Sequence, residues 1–250
     1  MSRVYGANAV GDLLAHAPNT VTTILVAKGS ASSEDESLVA EAERLGIPVR
    51  SLPRDMLKQR AGGRGGVRIA AEIRLADPVA LADLVPTESQ GPLIVMLDSV
   101  TDPHNLGAII RSAAAFSADA VIVGRDRSAP LNDAAVRASA GAVAHVPLVR
   151  VANLARALTD LKAQGIWVYA ASASAKMQAW EADLVRPLCL LLGAEGKGIR
   201  PRLKSLADQE IAIGLSNAVA SLNVSVSAGI LLGEVRRQHA LSSLPAGHTN

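Results

Sequence analysis

Aromatic residues are nearly absent from this 250-residue chain: Tyr5, Phe116, Trp167, Tyr169 and Trp180 are all it has. A nucleic-acid surface built on stacked bases needs several exposed rings, so this scarcity argues against one. Cysteine occurs once, at Cys189. That excludes an intrachain disulfide framework and any multi-cysteine zinc site. The histidines (His16, His104, His145, His239, His248) are scattered without metal-ligand spacing, so no metal is expected. No apolar run approaches the roughly 18 residues of a membrane span. The opening residues 1–6 hold no signal-peptide stretch. A cytoplasmic protein without membrane contact is the expectation. Net charge is also small, +2 from 25 Lys+Arg against 23 Asp+Glu, so only local charge clusters can point to a partner.

What the chain has is apolar residues, 49% against 19% charged, which argues against wholesale disorder. Its length suits one large domain or two modest ones. Short β-like runs alternate with helix-like stretches. Residues 22–27 read as a strand and 34–45 as a helix stopped by Gly46. Residues 47–52 form a second strand; another helix and a run at 67–73 close a small α/β unit, 1–75. Residues 76–91 carry Pro78 and Pro86 and read as a linker. The second domain is expected over 92–240. Strands are predicted at 93–97, 120–123, 146–148, 166–170, 188–192 and 211–213. Helices are predicted at 106–116, 131–140, 154–164 and 221–238, and 241–250 reads as a frayed tail. Continuous apolar strands between helices imply an α/β fold with a parallel sheet covered on both faces. Ligands on such sheets bind beyond the carboxyl ends of the strands.

Three loops occupy such positions. The first holds Asp102-Pro103-His104-Asn105, then a helix with Arg111 among apolar neighbours. Asn105 alone reads as a helix cap and Arg111 as a solvated face. An arginine in so apolar a helix must nevertheless be paired or face a cleft. His104 reads as loop packing. The second loop runs Gly193-Ala-Glu195-Gly196-Lys-Gly198. Its glycines permit sharp turns and close backbone approach, and Glu195 suits a cation or hydrogen-bond donors. It lacks the Gly-Lys-Ser/Thr of a phosphate-binding loop. The third loop enters the last helix through Ser221-Leu222-Asn223-Val-Ser225, with Ser221 as the simplest cap. Gly229 and Gly233, four apart, permit close helix packing, with another subunit as one partner. Cys189 reads as inert and buried.

Taken together and in order, Asn-Leu-Gly-Ala-x-x-Arg, Gly-Ala-Glu-Gly-x-Gly and Ser-Leu-Asn-Val-Ser resemble the three motifs of the SpoU/TrmH branch of the SPOUT methyltransferases. The match spans residues 93–237. It is closest to the RlmB-type 23S rRNA guanosine 2′-O-methyltransferases, and residues 5–10 resemble the opening of their small substrate-binding domain, which is similar to ribosomal protein L30e. The resemblance implies a deep trefoil knot, S-adenosylmethionine as cofactor, RNA as partner and a homodimer. Cofactor contacts would come from Leu192, Gly193, Gly196, Ile213, Leu215, Leu222 and Asn223. The catalytic set would be Arg111, Asn105, Glu195, Ser221 and Asn223. Arg111 is expected to stabilise the developing alkoxide and anchor phosphate, because a guanidinium with a pKa above about 12 is a poor base. Asn105 would orient a phosphate or the 2′-hydroxyl, Glu195 would hold Arg111, and Ser221 and Asn223 would contact the ribose or shape the turn.

One segment departs from the family pattern Ile-Pro-Met-x-Gly: here Ile213 is followed by Gly214-Leu215-Ser216-Asn217. Loss of the proline loosens φ at a cofactor loop. Between residues 50 and 74, Arg50, Arg54, Lys58, Arg60, Arg64, Arg68 and Arg74 face only Asp55 and Glu72. A solvated loop accounts for any one of them. The cluster suits RNA phosphate contact, with Arg60, Arg64 and Arg68 as its expected core. Arg125 and Arg127 either add a contact near the cleft or cap a sheet edge. Two other readings stand beside the rRNA enzyme: a tRNA 2′-O-methyltransferase of the same family, and a non-catalytic ribosome-assembly factor.

Overall fold

The computed structural model describes residues 2–29, 32–61, 66–74, 91–185, 187–216, 219 and 221–243. Residues 75–90, which hold nearly all of the expected linker, and Arg64 and Asn217 lie outside the described residues. The first unit runs β1 (Ser2–Tyr5), α1 (Ala7–His16), β2 (Val21–Ala27), α2 (Ser33–Arg44), β3 (Val49–Leu52), α3 (Arg54–Arg60) and β4 (Ile69–Ile73). Its sheet has the order β1-β4-β2-β3, with only β2 and β3 parallel. Gly46 ends α2 with φ +72°, as its position predicts. The sequence reading missed β1 and α1. β1 is a four-residue edge strand, and α1 starts at Gly6 with no side-chain cap, so neither carries a start signal.

The second unit runs β5 (Leu93–Asp98), α4 (Pro103–Ala115), β6 (Ala120–Gly124), α5 (Asp133–Ala138), β7 (Leu148–Val151) and α6 (Leu154–Ala163). It continues β8 (Trp167–Ala171), β9 (Met177–Gln178), β10 (Leu188–Gly193), α7 (Pro201–Lys204), β11 (Gln209–Ala212) and α8 (Val224–Ser242). The seven strands lie in the order β7-β6-β5-β10-β8-β11-β9, every pair parallel. β7 begins two residues later than expected, because Pro147 has no N–H to give the ladder. α8 reaches Ser242, so the first residues of the expected tail are helical.

Strands β5, β6 and β10 are buried along almost their whole length. Helices cover both faces. On one, Leu106, Ile109 and Ile110 of α4 pack with Leu231 and Val235 of α8; on the other, Leu158 and Leu161 of α6 pack with Val168 and Leu191. Each such side chain contributes about 1.5–3 kcal/mol by leaving water. Gly107 lets α4 meet α5 at close range: a Cβ there would lie 2.3 Å from the Ala135 carbonyl oxygen. The two units share one apolar cluster, in which Val4, Val10 and Leu13 join Val136 and Val143. Among the described residues no helix is long and apolar enough to cross a membrane.

Candidate active site

Strands β5 and β10 are neighbours, with Leu97 opposite Leu192 and Asp98 opposite Gly193. β11 lies one strand further, beyond β8. The three loops therefore leave the parallel sheet at the same carboxyl end of its strands, around the point where strand order reverses. The glycine-rich turn folds back on itself: Gly198 N–H donates to the Ala194 carbonyl at 2.8 Å. A Cβ on Gly193 would sit 2.1 Å from the Gly198 carbonyl carbon, so only glycine fits.

That turn presents Glu195 to the other two loops. Its Oε1 accepts from Asn105 Nδ2 at 2.8 Å and from Asn223 Nδ2 at 2.6 Å. Asn223 Nδ2 also reaches Asn105 Oδ1 at 3.0 Å. Three residues from three separate segments thus form one polar triad. The caps differ from expectation. Asp102, not Asn105, caps α4 by accepting from His104 N–H at 2.9 Å, which leaves the Asn105 amide free for Glu195. Asn223, not Ser221, caps α8: its Oδ1 accepts from Ser225 N–H at 2.8 Å and Val226 N–H at 3.4 Å.

Beside this triad lies a cavity of about 540 Å³, within the usual range for small-molecule sites. Of the expected cofactor contacts, Leu192, Gly193, Gly196, Ile213, Leu215 and Leu222 line it and Asn223 does not; Ser221 lines it too, and Glu195 is its one carboxylate among the described residues. Lys204 at its rim is paired with Glu210 at 2.8 Å.

Arg111 is not part of this assembly. Within this chain Glu195 does not hold it: Glu195 is engaged by the two asparagine amides, and Arg111 has no ion pair among the described residues. Its exposed side chain lines a second cleft of about 800 Å³, between α4 and the first unit, with Tyr5, Asn8, Asp12, His16 and His145. There Asp12 Oδ2 lies 3.3 Å from His145 Nε2 and its Oδ1 3.8 Å from His16 Nε2. The glycine pair of α8 is also corrected. Gly229 and Gly233 face Ser112 and Phe116 of the same chain, each 3.6 Å from a would-be Cβ. They serve the α4–α8 contact.

The basic cluster divides. Arg68 is bound internally, its Nε 2.7 Å from Asp35 Oδ2, so its role is to hold α2 and not to wait for phosphate. Asp35 is buried and also completes the Ser32 capping box. Burial alone pushes its carboxyl up, but hydrogen bonds from Arg68 and Ser32 outweigh that and hold it below its ordinary value. Arg50, Arg54, Lys58, Arg60 and Arg74 are exposed and without ion pairs among the described residues.

Sequence reasoning missed Asp98 and Arg200. Asp98 is fully buried at the end of β5 and accepts from Arg200 N–H and Nε, both at 2.8 Å. The pair ties the first loop to the end of the second. Arg125 and Arg127 are exposed, and Arg127 has φ +56°. Cys189 is fully buried, and burial pushes its thiol far above the ordinary value, as inert packing requires.

Residues 92–233 match the model of the SpoU rRNA Methylase family, and residues 3–75 match that for RNA 2′-O ribose methyltransferase substrate binding. The chain is 39% identical over 239 residues to a 23S rRNA (guanosine-2′-O-)-methyltransferase of Haemophilus influenzae, covering 94% of this chain and 97% of that one. Its fold is similar to the SpoU methyltransferase AviRb of Streptomyces viridochromogenes, with TM-score 0.80, 24% identity and coverage of 96% and 90%. It is similar also to an AdoMet-bound rRNA methyltransferase of Sinorhizobium meliloti, with TM-score 0.76, 25% identity and coverage of 98% and 88%.

Proposed function

The chain belongs to the SpoU rRNA methylase family, and on that footing we propose that it transfers a methyl group from S-adenosylmethionine to a guanosine ribose 2′-hydroxyl of 23S rRNA. The single observation that carries this reading is the Asn105–Glu195–Asn223 triad beside the cavity. The residues present fit the cofactor. Leu192, Ile211, Ile213, Leu215 and Leu222 give apolar walls for an adenosyl group, and the turn at Gly193–Gly196 gives bare backbone for polar edges.

When bound, the cofactor supplies an electrophilic sulfonium methyl. The protein's part is to bring the hydroxyl into line and to ease loss of its proton. Glu195 fixes both asparagine amides, and the amides in turn orient the incoming sugar or its phosphate. Ser221 at the cavity wall adds a hydroxyl towards the ribose. Arg111 contributes from the cleft shared with the first unit, where a permanent cation with no ion pair among the described residues suits the RNA backbone. Exposed Arg54, Lys58 and Arg60 extend that contact along α3. The active form is a homodimer. Val226 and Ile230, one turn apart on α8, are 49% and 43% exposed and form an apolar strip that a second copy covers.

The test is mapping of 2′-O-methylation in ribosomal RNA from cells with and without the gene, followed by methylation of the unmodified RNA by purified protein. One guanosine of 23S rRNA should lose its methyl and regain it. An unchanged 23S rRNA map would overturn the reading.

A further inference from the structure

We propose that Trp180 is a positioning residue for the cofactor loop, acting through Gly214. The inference rests on the cofactor assignment above.

Gly214 needs no unusual backbone, since it is absent from the positive-φ glycines. What it needs is space. A Cβ at this position would lie 2.1 Å and 2.7 Å from two carbons of the Trp180 six-membered ring. The outer end of the indole's six-membered ring therefore occupies the space that a side chain at position 214 would need. Gly214 is flanked by Ile213 and Leu215, and both line the cofactor cavity. The loop has the cavity on one side and the indole against its backbone.

Trp180 is held firmly enough to act as a backstop. The strand before it, β9, pairs with β11 through Met177–Ile211 and Gln178–Ala212. Gln178 N–H donates to Glu181 at 2.8 Å. The segment after it is fastened to α8: Gln238 Nε2 donates to the Ala182 carbonyl at 3.1 Å, and Leu184 N–H donates to Gln238 Oε1 at 2.9 Å. Yet Trp180 itself is 57% exposed, and so contributes little to the core. A large, exposed ring on a braced element, seated on a glycine that borders a ligand cavity, is suited to limiting loop motion. Pre-ordering a loop raises affinity by cutting the entropy lost on binding. This also answers the missing proline. At this position proline would stiffen the loop from within, and its ring would occupy the indole's seat; glycine with Trp180 stiffens it from outside.

The experiment measures S-adenosylmethionine affinity by calorimetry, with thermal unfolding alongside. W180A should bind at least five-fold more weakly with an unfolding midpoint within about 3 °C of the parent; W180F should stay within two-fold. G214A, whose Cβ takes the seat, should weaken binding to a similar degree and shift Trp180 emission to the red in a W167F background. The double variant W180A/G214A should be no weaker than the worse single variant. Parent-level binding by W180A, or strictly additive effects in the double variant, would overturn the proposal. Failure of the parent itself to bind overturns the cofactor assignment instead.

Discussion

The carboxylate of Asp98 and the guanidinium of Arg200 meet at 2.8 Å across 102 residues of chain. Asp98 is fully buried, while the Arg200 side chain is 46% exposed. The two ends are therefore unequal. Loss of the guanidinium leaves a buried carboxylate whose donors among the described residues are then Arg200 N–H and the Ser99 hydroxyl. R200M should cost about 3 kcal/mol, the low end for breaking a buried pair. Urea unfolding checks this. A cost under about 1 kcal/mol would show that the backbone and Ser99 bonds suffice.

Asn223 does two jobs with two atoms. Its Oδ1 caps α8, and its Nδ2 holds Glu195. N223A removes both and should destabilise by about 1 kcal/mol, the usual worth of a cap. N223D keeps a capping oxygen but sets a carboxylate against Glu195 in place of a donor. It should slow methyl transfer by at least 100-fold while forming α8 normally. Single-turnover rates together with helicity by circular dichroism separate the two effects. Wild-type rates in N223D would remove the polar triad from the chemistry.

The sites that sequence reading located and those it missed differ in physical kind. Apolar strand runs and the glycine turn were legible because period and backbone chemistry are local properties. Glu195, Asn105 and Asn223 were reached only through the resemblance of their three motifs to a known family, since Asn105 alone reads as a helix cap. Their partners were not legible. Asp102 and Asn105 both precede apolar helix, and which one caps depends on where Pro103 lets α4 begin. Arg68 looked like its basic neighbours, and only the fold sets it against Asp35, 33 residues away. Asp98 falls just past the expected strand 93–97, and only the fold sets it against Arg200, 102 residues away.

The Asp35–Arg68 pair predicts an acid limb of stability. The folded carboxyl is held below its ordinary value, so the unfolded chain takes up the proton first. The stabilisation is complete above about pH 4, the ordinary Asp range, and declines as pH falls through the lowered folded value. R68A should destabilise by about 1.5–3 kcal/mol at pH 7. The gap between R68A and the parent should narrow towards pH 3. Urea midpoints at both pH values test this; a constant gap would mean that Arg68 stabilises by packing alone.

Arg54, Lys58 and Arg60 stand exposed along α3 without ion pairs among the described residues. Replacing all three by alanine should weaken RNA binding and flatten its salt dependence, by roughly 0.7–0.9 in log–log slope for each phosphate no longer neutralised. The unfolding midpoint should hardly move. Filter binding across a salt series gives the slope. An unchanged slope would return α3 to a solvated surface.

Arg111 is where position and chemistry pull apart. Its side chain lines the cleft against α1, and the Asn105–Glu195–Asn223 triad makes no bond to it. A guanidinium that anchors phosphate binds substrate and transition state alike, so its removal raises KM for RNA and leaves kcat near its parent value. A guanidinium that meets the alkoxide acts only in the transition state, so its removal lowers kcat. The cleft favours the first role within one chain. R111A should raise KM for RNA at least ten-fold, and R111K should recover part of it because a point charge still meets phosphate. A fall in kcat with KM unchanged would instead give Arg111 the alkoxide-stabilising role.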